Sequence, residues 1–381
     1  DVYKRQELAR DLGASDRFRA TATPGDLAAA DVILLCVPTP LGPHREPDLS
    51  FVLESTRMVA SVLRPGQLVV LESTTYPGTT RELMGAILER GGMKAGEDFL
   101  LAYSPEREDP GRQGVTTSSI PKLVGGTCER STDLSFRLYD AAIASVHRVD
   151  SAEVAEAAKL TENIFRAVNI ALVNELKVIY DAMGIDVWEV LDAAATKPFG
   201  YMKFTPGPGL GGHCIPIDPF YLTWVAQRIG RPTKFIELAG EINTDMPRYV
   251  VQRTMLALNA VGKAMRDAKI VVLGLAYKPD VDDIRESPAI PLLMQLRELG
   301  AQVRYSDPHV PRGHKMREHD LSEEVSLDLD AETLQGLDAV IVATDHEAFD
   351  WDLIAQHAPL VVDTRNALAS RLHGQPHYFK A

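Results

Sequence analysis

Between Ser151 and about Met183 the chain runs without proline or glycine, and Val154, Ala158, Ile164, Val168, Ala171, Leu172, Leu176 and Ile179 keep a helical period. A single helix of that length spans on the order of 45–50 Å, more than one compact domain. It therefore links two domains and offers a face for a second copy of the chain. On its N-terminal side, Asp31–Val37 and Gln67–Glu72 read as short buried strands that end in polar loops, with helices over Ser50–Leu63 and Arg81–Gly91. On its C-terminal side the pattern restarts. Strands are expected at Lys269–Leu275, Gln302–Ser306, Ala339–Ala343 and Leu360–Asp363, with a helix over Pro288–Leu299. Shorter helices are expected at Asp186–Ala195 and Pro219–Gly230. The fold class is α/β: two Rossmann-like doubly wound domains joined by a long central helix, with boundaries at 1–146, 147–245 and 246–381.

The first domain departs from its type. A doubly wound sheet usually opens with a strand, a G-x-G-x-x-G turn and a helix, and nothing of that kind precedes Asp31. The expectation is a first domain lacking its opening βαβ unit, in a chain truncated at its N-terminus. The turn that opens the second domain, Gly274–Ser287, has one glycine where a dinucleotide turn has three. Backbone amides alone cannot then cradle a pyrophosphate, and Lys278 and Arg285 are available to supply the positive charge instead.

At 381 residues, 45% apolar and 24% charged, the chain is an ordinary globular one with room for two or three cores. A formal charge of −13 argues against a nucleic-acid or anionic-membrane partner, which normally needs a concentrated basic face. No apolar run approaches a membrane span, and no signal segment opens the chain. Cys36, Cys128 and Cys214 form no disulfide framework and no metal-ligand spacing, so free thiols, a cytoplasmic location and no metal are expected.

One segment stands apart from the scaffold. Thr205-Pro-Gly-Pro-Gly-Leu-Gly-Gly-His-Cys-Ile-Pro-Ile-Asp-Pro219 leads through four glycines to a cysteine and, four residues on, a carboxylate. Glycines in that number let backbone and ligand approach closely, at an entropic cost that a purely structural loop seldom accepts. Cys214 fits a nucleophile, whereas Cys36, inside an apolar strand, fits buried filler and Cys128 has no partner in view. Asp218, before Pro219 and an apolar helix, fits a helix N-cap as well as a catalytic carboxylate. Lys159 and Asn163 lie four apart on the long helix and so share a face, either a solvated one or one turned to a substrate oxygen. Arg285 has Asp282 and Asp283 close by as simple ion-pair partners.

Taken together, Gly209–Asp218, the helix Glu153–Asn163, Ser104-Pro-Glu106, Glu72-Ser-Thr74, Gly274-Leu-Ala-Tyr-Lys278 and Arg285-Glu-Ser-Pro288 resemble the UDP-glucose/GDP-mannose dehydrogenase family over nearly the whole chain from about residue 7. Ser104–Gly111 and Lys197-Pro-Phe-Gly200 look most like the UDP-N-acetylglucosamine 6-dehydrogenases. The resemblance implies oxidation of a primary alcohol to a carboxylate with two NAD⁺, through a Cys214 thiohemiacetal and thioester. It implies that Lys159 stabilises an alkoxide and, with His213, lowers the thiol pKa. Asn163 meets the same substrate oxygen, Asp218 positions or deprotonates water, and Thr74 and Glu106 are further catalytic candidates. Val37, Pro38, Thr39, Pro40, Ser73, Thr74, Thr75 and Arg285 match positions along the NAD. Phe204, Gly207, Gly209, Gly211, Tyr277, Lys278 and Arg365, with Glu106, Lys159 and Asn163, match positions around the UDP-sugar. Pro110 stands where UDP-glucose dehydrogenases carry a second glutamate, which leaves Glu108 or Asp109 for that carboxylate. A homodimer or higher homo-oligomer through the long helix is expected. UDP-glucose and UDP-N-acetylmannosamine are the alternative substrates. A two-electron hydroxy-acid or phosphogluconate type of dehydrogenase, and a sugar-nucleotide binder without catalysis, are the competing functions.

Overall fold

The computed structural model describes residues 9–42, 44–108, 116–212, 215–316 and 319–381. The chain divides into two compact units, one of Asp1–Ile164 with Ile217–Thr233 and the other of Phe165–Pro216 with Lys234–Ala381.

The first unit is built on a five-stranded sheet in the order β1-β2-β3-β4-β5, from Val32–Leu35, Leu68–Leu71, Leu100–Tyr103, Lys122–Gly126 and Val146–Arg148. The first three strands run parallel, with Leu35 opposite Leu71 and Leu71 opposite Tyr103, so the loops that follow them emerge along one edge. β4 turns antiparallel to β3. Every residue of β2 is buried, as expected for a continuous apolar run covered on both faces. Helix α1, Ser50–Ala60, packs Val52 and Val59 into this core, and helix α2, Glu129–Asp140, adds Tyr139. The helix expected over Arg81–Gly91 is a π-helix, Thr79–Gly85, passing through a short α-helical turn into a 3₁₀ turn. Among the described residues β1 is an outer strand, and Leu34 on its open face is 46% exposed.

Helix α3, Ala152–Ala182, is the long helix read from the sequence. Its first turns bury Ala152, Ala155 and Leu160 in the first unit's core, together with Tyr221 of helix α5, Asp218–Arg228. Helix α4, Val187–Ala195, follows it and packs Trp188 and Leu191 against Val173.

The second unit carries a fully parallel sheet, β10-β9-β8-β6-β7, formed by Lys269–Leu273, Gln302–Ser306, Ala339–Val342, Val361–Asp363 and Tyr378–Lys380 as β6 to β10. That is the doubly wound order 2-1-3-4-5, whose ligands sit outside the carboxyl ends of the strands flanking the switch from β6 to β8. Helix α7, Ala289–Glu298, covers one face with Ile290, Leu292, Leu293 and Leu296, each at most 2% exposed. The sequence reading missed helix α6, Lys234–Ala260, which was hidden by Gly240 and Pro247 inside it. Pro247 has no N–H for the Asn243 carbonyl four residues back, which frees that carbonyl to face another segment.

Candidate active site

In the first unit the candidate residues gather at the carboxyl edge of β1, β2 and β3. The Ser73 hydroxyl clips the first two loops together, accepting from Val37 N–H at 2.8 Å and donating to Val37 O at 2.7 Å. Tyr221 of α5, fully buried, donates its hydroxyl to the carbonyl of Thr39, and Pro40 O lies 3.3 Å away. Val37–Pro40 and Ser73–Thr75 thus form one braced surface. Thr74 is half-buried within it, and Thr75 is fully buried with its Oγ1 2.7 Å from Thr79 Oγ1.

Lys159, Asn163 and Asp218 come together although 55 residues separate the last two. They are 8%, 3% and 3% exposed, so the solvated-face alternative for the helix does not hold. Asn163 Nδ2 donates to Asp218 Oδ2 at 2.6 Å. Burial pushes the Asp218 carboxyl up to about 7, against the opposing pull of the Lys159 charge and the Asn163 hydrogen bond. The N-cap reading of Asp218 is also corrected. The N-cap position is Ile217, and Asp218 is the first helical residue, its carboxylate turned to Asn163. His213 and Cys214 lie outside the described residues.

Glu106 is 47% exposed at its side chain, and its Oε1 accepts the N–H groups of Arg107 and Glu108, each at 2.7 Å. Glu108 is exposed, while Asp109 and Pro110 lie outside the described residues. Lys122, which the sequence reading did not single out, is 7% exposed and sets its Nζ 3.5 Å from Glu106 Oε2 and 3.4 Å from Glu72 Oε1. Tyr139 donates its hydroxyl to the same Glu72 oxygen. Cys36 is not buried filler. It stands one residue past β1 and is exposed overall, with Sγ 3.6 Å from Glu72 Oε2, and partial desolvation of the thiol together with the Glu72 charge pushes it up to about 11. A thiol so raised is a poor nucleophile. Cys128 Sγ lies 3.3 Å from Ser131 Oγ.

The second unit collects the glycine-rich segment with the residues matched to the sugar nucleotide. Gly207 donates its N–H to Asn174 Oδ1 at 3.0 Å, and a Cβ there would lie 2.5 Å from the Arg365 guanidinium. Gly209, at φ +140°, sits against the freed carbonyl of Asn243, 3.2 Å from where a Cβ would be. A Cβ on Gly211 would lie 2.7 Å from that of Tyr277. Asn174 and Asn243 are joined by a 2.9 Å hydrogen bond, so α3 and α6 jointly shape the loop. Asn174 escaped the sequence reading, although its signal, an asparagine three helical turns after Asn163 and so on the same face, was present. Phe204 packs edge-on against Phe165, with ring centroids 5.8 Å apart, in the apolar cluster around Trp188, so its contacts within this unit are structural.

Tyr277 and Lys278 follow β6, and Arg365 follows β9, near the switch point. The turn's own amides are already used, since Asp307 Oδ2 accepts Leu275 and Ala276 N–H at 2.7 and 2.9 Å, where a dinucleotide fold would offer such amides to phosphate. Asp280, His309 and His346 form a candidate metal cluster among the described residues. His346 Nδ1, however, accepts Asp280 N–H at 2.9 Å and its Nε2 lies 3.1 Å from Asp307 Oδ2, so both ring nitrogens are spent in holding the turn. Arg285 forms a chelated pair with Asp283, at 2.7 to 3.1 Å.

Comparison with known proteins follows the same division. Three models of the UDP-glucose/GDP-mannose dehydrogenase family match: the NAD binding domain over residues 4–143, the central domain over 153–245 and the UDP binding domain over 271–370. A UDP-N-acetyl-D-glucosamine 6-dehydrogenase of Pseudomonas aeruginosa is 36% identical over 343 residues, 90% of this chain and 80% of that protein. A UDP-N-acetyl-D-mannosamine dehydrogenase of Pyrococcus horikoshii is 36% identical over 373 residues, 97% of this chain and 84% of that protein. A solved structure of a UDP-D-ManNAc dehydrogenase from Pyrococcus horikoshii superimposes with a TM-score of 0.86 at 33% identity, covering 99% of this chain and 86% of that one.

Proposed function

Because this chain belongs to the UDP-glucose/GDP-mannose dehydrogenase family, and is thus an NAD-dependent nucleotide-sugar dehydrogenase, we propose that it oxidises the C6 hydroxyl of UDP-N-acetylglucosamine to a carboxylate. The observation that carries the dehydrogenase chemistry of this reading is the buried trio Lys159, Asn163 and Asp218, a cation, an amide and a raised carboxyl held together out of water. NAD accepts one hydride in each of two oxidations when bound. Val37–Pro40 and Ser73–Thr75 suit its nicotinamide and ribose, being short side chains, four of them hydroxyl-bearing, at the carboxyl ends of parallel strands. Arg285 is assigned to the same cofactor.

The C6 hydroxyl gives its proton to water, and Lys159 stabilises the resulting alkoxide as the first hydride leaves C6, while Asn163 orients the same oxygen. The Cys214 thiolate adds to the aldehyde carbon, giving a thiohemiacetal. Loss of the second hydride makes a thioester. Water, deprotonated toward Asp218 or Glu106, cleaves it and releases the carboxylate and the free thiol. Thr74 lines the reacting carbon. Arg365 and Lys278 hold the diphosphate, and Tyr277 and the glycines at 207, 209 and 211 accept the nucleotide.

The choice of sugar rests on Ser104–Gly111, on Lys197–Gly200 and on the Pseudomonas aeruginosa relative. A second reading, UDP-N-acetylmannosamine, is favoured by the equally identical Pyrococcus horikoshii relative. A homodimer through α3 is supported by Phe165, Leu172 and Ile179, seven residues apart and 46 to 49% exposed. A cytoplasmic site accords with two free cysteines, and among the described residues no helix is long and apolar enough to cross a membrane. The deciding experiment counts NADH formed per UDP-N-acetylglucosamine, with UDP-N-acetylmannosamine and UDP-glucose alongside. Two per molecule of the first supports the reading, two with another sugar replaces the substrate, and one or none overturns the mechanism.

A further inference from the structure

We infer that Glu156 is a positioning residue that ties the Ser73–Thr75 loop to the catalytic face of α3, an inference that rests on the roles proposed above for that loop and for Lys159. Glu156 is fully buried, and it accepts three hydrogen bonds from one short stretch of chain. Its Oε2 takes Gly78 N–H at 2.7 Å, and its Oε1 takes Thr80 N–H at 2.9 Å and Thr80 Oγ1 at 2.7 Å. Gly78, at φ +100°, opens the π-helix Thr79–Gly85, a form that is rare and concentrated at functional sites. The first N–H groups of any helix lack partners within it, and here a carboxylate from a distant helix supplies them.

The linkage continues back to the loop. Thr79 Oγ1 meets Thr75 Oγ1 at 2.7 Å and donates to Tyr76 O at 2.9 Å, with Thr75, Thr79 and Thr80 all fully buried. In the other direction Glu156 lies three residues before Lys159, so the two share a face of α3. A short chain of buried hydrogen bonds therefore links the loop that carries Thr74 to the helix face that carries Lys159. Arg81 and Glu153, paired at 2.6 Å, repeat the link one turn away on the surface, where it is worth little.

Steady-state kinetics of Glu156→Gln, referred to the folded fraction by near-UV circular dichroism, test this. An amide cannot accept at both oxygens, so the loop shifts. A displacement of about 1 Å lowers kcat on the order of 100-fold. The expected pattern is that loss together with a raised KM for NAD and an unchanged KM for the UDP-sugar. Thr80→Val removes only the hydroxyl bond and should move kcat the same way by a few-fold. A folded Glu156→Gln with parental kcat and KM for NAD overturns the inference, as does a loss that falls equally on the UDP-sugar KM. If Glu156→Gln does not fold, Thr80→Val decides: reduced kcat supports the inference and unchanged kcat overturns it. A parent chain that forms no NADH with any UDP-sugar overturns the proposed function and this inference with it, whereas an active parent with unchanged variants overturns this inference alone.

Discussion

Asn163 donates its side-chain amide to Asp218 at 2.6 Å, joining the middle of the long helix to the first turn of a helix that begins after the glycine-rich segment. Neither side chain is more than 3% exposed, so the carboxyl has lost its hydration and keeps one strong donor in exchange. Its properties follow from that trade.

Asp218→Asn should lower kcat by roughly 100- to 1,000-fold, the scale of losing a general base. In the parent, kcat should rise with pH through about 7 as Asp218 ionises, and the variant should lose that limb. A pH–rate profile of both proteins checks this.

The same shift predicts how stability varies with pH. The folded carboxyl releases its proton near 7 and the unfolded one near roughly 4. Between those values the folded chain holds the extra proton, so this contribution to stability is full below about 4 and is lost as pH rises through 7. Glu156, buried likewise, is pushed up to about 7 and adds in the same sense. Asp218→Asn should therefore gain melting temperature relative to the parent as pH goes from 4 to 8. A difference independent of pH would contradict it.

Cys214→Ser should retain the first hydride transfer and lose the second. NADH yield should fall from two per sugar to at most one, with no uronate. Mass spectrometry of the product is the decisive readout, and uronate made at the parental rate would remove the covalent step.

Gly207→Ala should strike the Arg365 guanidinium, since the added Cβ would lie 2.5 Å from it. Overpacking of this kind costs about 1–3 kcal/mol. The KM for the UDP-sugar should rise about tenfold while the KM for NAD stays level, which initial-rate kinetics would separate.

Leu172→Glu places a charge in the centre of the exposed α3 stripe. Sedimentation should show the parent as an oligomer and the variant shifted toward monomer, whereas a monomeric parent would remove the assembly proposed for that face.

Much of the fold was legible because the relevant signals are local. The period of α3, the all-buried β2 and strands β6 to β9 of the second sheet each follow from apolar spacing within a few residues, whereas the short strand β10, only partly buried, carries no such run and was not read. The Lys159–Asn163 pairing on one face needed only the helical repeat. What could not be read locally depended on which distant groups meet. Pro247 concealed α6 because a proline argues against a helix, and only the fold brings the freed Asn243 carbonyl to Gly209. Cys36 looked like strand filler because the pattern does not say where β1 ends. Asp218 fits a cap by its neighbours in sequence, yet the fold gives its carboxylate to Asn163. Glu156 lies within the helical motif Glu153–Asn163 with no role legible there, and Lys122 lies in no motif. Their partners lie 76 and 78 residues away for the first, and 16 and 50 away for the second, and sequence spacing says nothing of contacts made across that distance. The amino-acid sequence by itself determined the α/β plan and the chemistry on offer, through periodicity and residue type. The tertiary structure alone decided which carboxylates lose water, which amides are already spent and which side chains stand within bonding distance, because desolvation and hydrogen bonding depend on neighbours in space.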